Sequence, residues 1–101
     1  MKTEVLEFAA TFDVVLTTDK AQAATMTLLP GQTVGGDDNV HVASEQWLFV
    51  VSGEGEAVVA GKRQQLTRHT LLVIEAGESH KISNTGDTPL ETLNFYAPPE
   101  F

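Results

Sequence analysis

Residues 39–61 read NVHVASEQWLFVVSGEGEAVVAG. A nearly unbroken apolar run, Trp47 to Val51, meets the turn pair Ser52-Gly53 and is followed by a second β-prone run, Glu56 to Ala60. Runs of this length with a glycine turn between them predict short strands. Side chains alternate faces along a strand. If Gln46 points into the interior, Leu48 and Val50 follow it, while Trp47, Phe49 and Val51 face the other way. Glu45 then falls on the face opposite Gln46.

The same pattern extends outward in both directions. Turn signals stand at Pro30-Gly31, Gly35-Gly36-Asp37-Asp38-Asn39, Ala60-Gly61, Ala76-Gly77 and Asn84-Thr85-Gly86-Asp87. Between them lie further β-prone runs: Phe12 to Thr17, Ala23 to Leu29, Leu71 to Ile74 and Leu90 to Tyr96. Thr3 to Ala10 has a spacing that suits either a helical turn or a strand, and reads better as a strand. The Ala97-Pro98-Pro99 tail cannot continue a central strand and should end the sheet. About ten short strands separated by turns predict an all-β sandwich or barrel, a double-sheet jelly roll, with residues 1–101 as one domain.

Composition narrows the function classes. Fourteen Asp and Glu against six Lys and Arg give a formal charge of −8, which argues against nucleic acid as a partner. With no cysteine, disulfides, thiolate metal sites and a cysteine nucleophile are excluded. No apolar run approaches the ~20 residues of a membrane span. Glu4 and Glu7 interrupt the N-terminal stretch where a signal peptide needs apolar residues, so a soluble cytoplasmic protein is expected.

Two of the three histidines flank the densest strand signals. His41 precedes Gln46 by five residues, and His80 follows the Ala76-Gly77-Glu78-Ser79 turn with Ile82 and Asn84 on its face at period two. The stretch Asn39-x-His41-x4-Gln46-x6-Gly53 resembles the first motif of the cupin family. Leu72-Val73-Ile74-Glu75-Ala76-Gly77-x2-His80-x3-Asn84 is similar to the second. Together the two motifs span about half the chain.

The resemblance implies a double-stranded β-helix barrel and a metal pocket. Carried over by position, the ligand set is His41, Gln46 and His80. Asn39 stands where the family's first histidine usually stands, and after Asp37-Asp38 an asparagine also suits a turn. His69 stands in place of a glycine of the second motif and Glu75 in place of its usual proline. His69 reads as an exposed turn residue, and Asn84 as a turn stabiliser.

The chemistry is coherent in its own terms. Two imidazoles and an amide oxygen leave open positions on one divalent transition metal, whose identity the sequence leaves open. Three neutral ligands leave the charge of the ion uncompensated, which favours anionic ligands. Members of the family include oxygenases, isomerases and lyases acting on small metabolites, so an enzyme is one reading that the resemblance implies. A non-catalytic small-ligand or sensor module, or a metal-free barrel acting by association, fits the same residues. Trp47, Phe49 and Val51, with Val5, Leu6 and Phe8, supply apolar surface for a homodimer.

Overall fold

The computed structural model describes residues 1–101, apart from the side chains of residues 37–39. Nine strands follow one another: β1 (Phe12–Thr17), β2 (Gln22–Leu28), β3 (Thr33–Val40), β4 (Glu45–Ser52), β5 (Gly55–Val59), β6 (Lys62–Leu66), β7 (Leu71–Ile74), β8 (Ser79–Asn84) and β9 (Leu90–Ala97). Among the described residues there is no helix. The strands form a five-stranded sheet, β1-β2-β9-β4-β7, and a four-stranded sheet, β3-β8-β5-β6. Every pairing is antiparallel. The two sheets pack face to face without closing into a hydrogen-bonded ring.

Alternation does the folding. On β4, Gln46, Leu48 and Val50 are buried, whereas Trp47 is 40% exposed and Phe49 half-buried. Leu28, Leu48, Val50, Ala57, Leu66, Ile82 and Leu90 come from six strands of both sheets and form one core with Met26. Removing such side chains from water is the main force holding the sheets together.

The nine strands agree with the expected count of about ten, and two expectations are corrected. Thr3 to Ala10 is not a strand: Val5 is exposed and only Leu6 and Phe8 are half-buried, so no alternating face forms there. Lys62–Leu66 is a strand although only Leu66 of its residues is buried, because pairing with β5 rather than an apolar face holds it.

The second correction concerns the glycine-rich segment read as a turn, which belongs to β3. Gly35 has φ +85°, and a Cβ there would lie 2.3 Å from the His80 carbonyl oxygen. Glycine is required at this position by the close approach of β3 to β8, not by a chain reversal. The register between these strands shifts between Gly36 and Val40.

Candidate functional site

His41 lies in the segment after β3, and His80 is the second residue of β8. A turn brings them together. Glu78 N donates to Glu75 O, Gly77 occupies the left-handed region at φ +87°, and Gly77 N donates to His41 O at 2.8 Å. This last bond joins the His41 segment to the turn that launches β8. The two imidazole rings stack with centroids 4.7 Å apart. Gln46, one residue into β4, reaches the same place, with Oε1 3.0 Å from His41 Nε2. All three side chains are buried.

These residues line a cavity of about 360 Å³. Phe12, Met26, Val34, Ile82, Tyr96 and Phe101 contribute its apolar lining. Tyr96 and Phe101 both meet the His41 ring edge-on, at 5.3 and 6.3 Å. Among the described residues that line the cavity, Glu100 is the one Asp, Glu, Lys or Arg, and its Oε1 lies 3.1 Å from His41 Nδ1.

The electrostatics follow from burial. Desolvation pushes His80 below its ordinary value of 6.5; the Glu78 carbonyl opposes this, and the adjacent His41 adds to it. Burial, reinforced by the Glu100 charge, pushes the Tyr96 phenol well above its ordinary value. Tyr96 is therefore a neutral phenol throughout the physiological range.

Behind Gln46 runs a chain of buried polar groups. Gln46 Nε2 donates to Asn94 Oδ1 at 2.9 Å, Asn94 Nδ2 donates to Thr92 Oγ1 at 3.0 Å, and the Thr92 hydroxyl donates to the Met26 carbonyl at 2.8 Å. Thr92 and Asn94 are fully buried.

Whether these groups suit a metal ion can be judged from their spacing. Two ligand atoms at about 2.1 Å from one ion, roughly at right angles, lie about 3.0 Å apart. His41 Nε2 and Gln46 Oε1 have that separation. Glu100 faces Nδ1 of His41, a carboxylate partner of the kind that orients a ligating imidazole. Among the described residues no group of three His, Cys, Asp or Glu side chains is placed to hold an ion. The polar side chains gathered here are two imidazoles and an amide, with His80 meeting the other two through its stack on His41.

Sequence reasoning brought His41, Gln46 and His80 to one place. The expectation for Asn39 lies outside the described side chains. His69 is exposed in a turn at φ +72°, stacked on Phe49, far from the role of a pocket residue. Asn84 stabilises a turn: its Nδ2 donates to Leu28 O and Thr88 O, and its Oδ1 accepts from Gly86 N. Glu45 accepts from Trp47 Nε1 on the outer face, opposite Gln46. Glu100, Tyr96, Asn94 and Phe101 were missed. A period-two row, Leu90, Thr92, Asn94 and Tyr96, was available as a signal for two of them.

A family model described as a cupin domain matches residues 24–96. An uncharacterised Bacillus subtilis protein, YrkC, is 31% identical over 96 residues, covering 88% of this chain and 50% of that protein. An oxalate-binding protein of Thermotoga maritima is 36% identical over 70 residues, covering 69% of this chain and 56% of its own length. The chain thus spans about half the length of the curated relatives it matches. Among solved structures, BH2720 from Bacillus halodurans superposes with a TM-score of 0.86 at 26% identity, covering 91% of this chain and 73% of its own. A predicted oxalate decarboxylase from Thermotoga maritima gives 0.78 at 28% identity, covering 87% and 79%.

Proposed function

The chain belongs to the cupin family, and from that premise we propose that its pocket binds a small polar or anionic metabolite at one divalent transition metal held by His41, Gln46 and His80. The observation that supports this most is the meeting of two buried imidazoles and an amide oxygen in a cavity whose other described lining residues are mostly apolar. A bound ion would supply Lewis-acid polarisation of a ligand oxygen, the chemistry from which oxygenase, isomerase or lyase activity is built. The apolar side wall excludes water and grips the body of the ligand. Glu100 orients His41 and opposes free anions, so an anionic metabolite needs the charge of the ion. The oxalate-binding relative is the precedent for a small carboxylate as ligand.

Elemental analysis of protein purified without a histidine tag tests the reading. About one equivalent of metal per chain is expected. His80→Ala abolishes it and His69→Ala leaves it intact; equal behaviour of the two variants overturns the ligand assignment.

A non-catalytic binding module is the second reading. Its support is the aromatic wall: Phe12, Phe101 and a neutral Tyr96 add contact area without a group that accepts a proton. Ligand turnover under single-turnover conditions separates the two.

No helix of the structure is long and apolar enough to cross a membrane, and a cytoplasmic location goes with this proposal. So does a homodimer. Trp47 pairs in register with Val73 on one side and Phe95 on the other, and all three are exposed on the outer face of the five-stranded sheet. A contiguous apolar stripe of this kind is the surface a twofold copy would cover.

A further inference from the structure

The Gln46 carboxamide could point its oxygen or its nitrogen at His41, and the buried chain behind it fixes the choice. The chain begins at a group with one possible role. The Met26 backbone carbonyl can only accept, so the Thr92 hydroxyl 2.8 Å away must donate to it. Having spent its proton there, Thr92 Oγ1 presents lone pairs to Asn94, which must therefore turn Nδ2 toward it. Asn94 Oδ1 is then left facing Gln46, which must turn Nε2 toward it. Gln46 Oε1 is what remains, aimed at His41 Nε2 across 3.0 Å. On the other side of the ring, Nδ1 faces the Glu100 carboxylate, a second acceptor. A neutral His41 that donates through Nδ1 sets its Nε2 lone pair against the Gln46 oxygen. Two acceptors at this separation repel unless a positive charge lies between or beside them.

We infer that Thr92 and Asn94 are positioning residues that lock the Gln46 carboxamide with its oxygen toward His41, building a cation-receiving pair from an amide oxygen and an imidazole nitrogen. The inference rests on the metal reading above for the identity of the cation, but the locking itself does not. It also accounts for an amide rather than a carboxylate at this position. A glutamate at 46 has no proton to give Asn94 Oδ1, so Asn94 and Thr92 would have to reverse and leave the Met26 carbonyl without its donor.

Two measurements test it on the full chain stripped of metal with a chelator. Zinc and cobalt(II) affinity by calorimetry is expected to fall by about 10- to 100-fold in Asn94→Leu, the range typical of lost outer-shell support. Asn94→Asp still offers Gln46 Nε2 an acceptor, at the cost of turning the Thr92 hydroxyl from Met26 O to the new carboxylate, and is expected to lose less affinity than Asn94→Leu. Thr92→Val is the second variant, for use where Asn94→Leu does not fold, and is expected to weaken affinity in the same direction. Side-chain amide NMR gives a readout independent of metal: the Gln46 NH₂ protons exchange slowly in the wild type and in Asn94→Asp, and rapidly in Asn94→Leu. Equal affinities, or equal exchange, in Asn94→Leu and Asn94→Asp overturn the inference. A wild-type chain that keeps the slow exchange but takes up neither ion supports the locking and overturns the metal reading.

Discussion

Gln22 on β2 holds the backbone of Phe101 from both sides of its carboxamide. Its Nε2 donates to Phe101 O at 2.7 Å and its Oε1 accepts from Phe101 N at 2.9 Å, with Glu100 N at 3.3 Å. Gln22 is buried while Phe101 is exposed, so these bonds are partly shielded from competing water. They fix the segment that brings the Glu100 carboxylate to His41 and the Phe101 ring to within 4.8 Å of Phe12. Gln22→Leu removes them and leaves the two backbone amides without an acceptor. A loss of about 1–3 kcal/mol is expected in urea denaturation, with fast hydrogen exchange at residues 100 and 101. Unchanged exchange there would contradict the anchoring role.

The titration of His80 sets an acid limit on the metal-free protein. Burial lowers its folded-state value below the ordinary 6.5 that the unfolded chain retains. Between those two values the unfolded chain binds more protons, so stability rises with pH. The contribution is complete above 6.5 and is lost as pH falls through the lower folded value. Denaturation midpoints of the chelated protein should fall on acidification below 6.5 and do so less steeply in His80→Gln. Identical slopes would show that other groups govern the acid limit.

Thr25 and Thr27 are buried, and their hydroxyls meet no hydrogen-bond partner among the described residues. A buried hydroxyl without a partner costs free energy that an isosteric methyl group does not. Thr25→Val should therefore stabilise the fold by about 1 kcal/mol, read as a higher denaturation midpoint with an unchanged slope. A destabilised variant would reveal a partner for that hydroxyl.

The outer-face stripe has a solution signature. Sedimentation equilibrium at micromolar concentration should give twice the 10.9 kDa chain mass, and Trp47→Lys should return it to one chain. A single-chain mass for the wild type would rule out the dimer.

Much of this was legible because it rests on period-two alternation. The parity that buries Gln46, Leu48 and Val50 and exposes Trp47 was readable from β4 alone, as was the face shared by His80, Ile82 and Asn84 on β8. Other features depend on partners remote in sequence. β6 carries a polar run that only pairing with β5 makes a strand. Gly35 reads locally as a turn, yet its conformation answers to the His80 carbonyl 45 positions away. Glu100 follows two prolines beyond the last strand, and nothing local marks it. Its place beside His41 is set by Gln22, 78 residues earlier in the chain.

β9 carries two interleaved messages. Its even-numbered residues, Thr92, Asn94 and Tyr96, line the buried side of the sheet, while Leu93 and Phe95 belong to the outer face. A slip of one residue against β2 and β4 would exchange the two sets wholesale. Phenylalanine would be driven inward among the polar groups, and asparagine would be left on the apolar stripe. Mispairing at this central strand is therefore punished twice, once on each side of the sheet. A correctly folded molecule is separated from its nearest misregistered competitor by penalties arising on both surfaces at once.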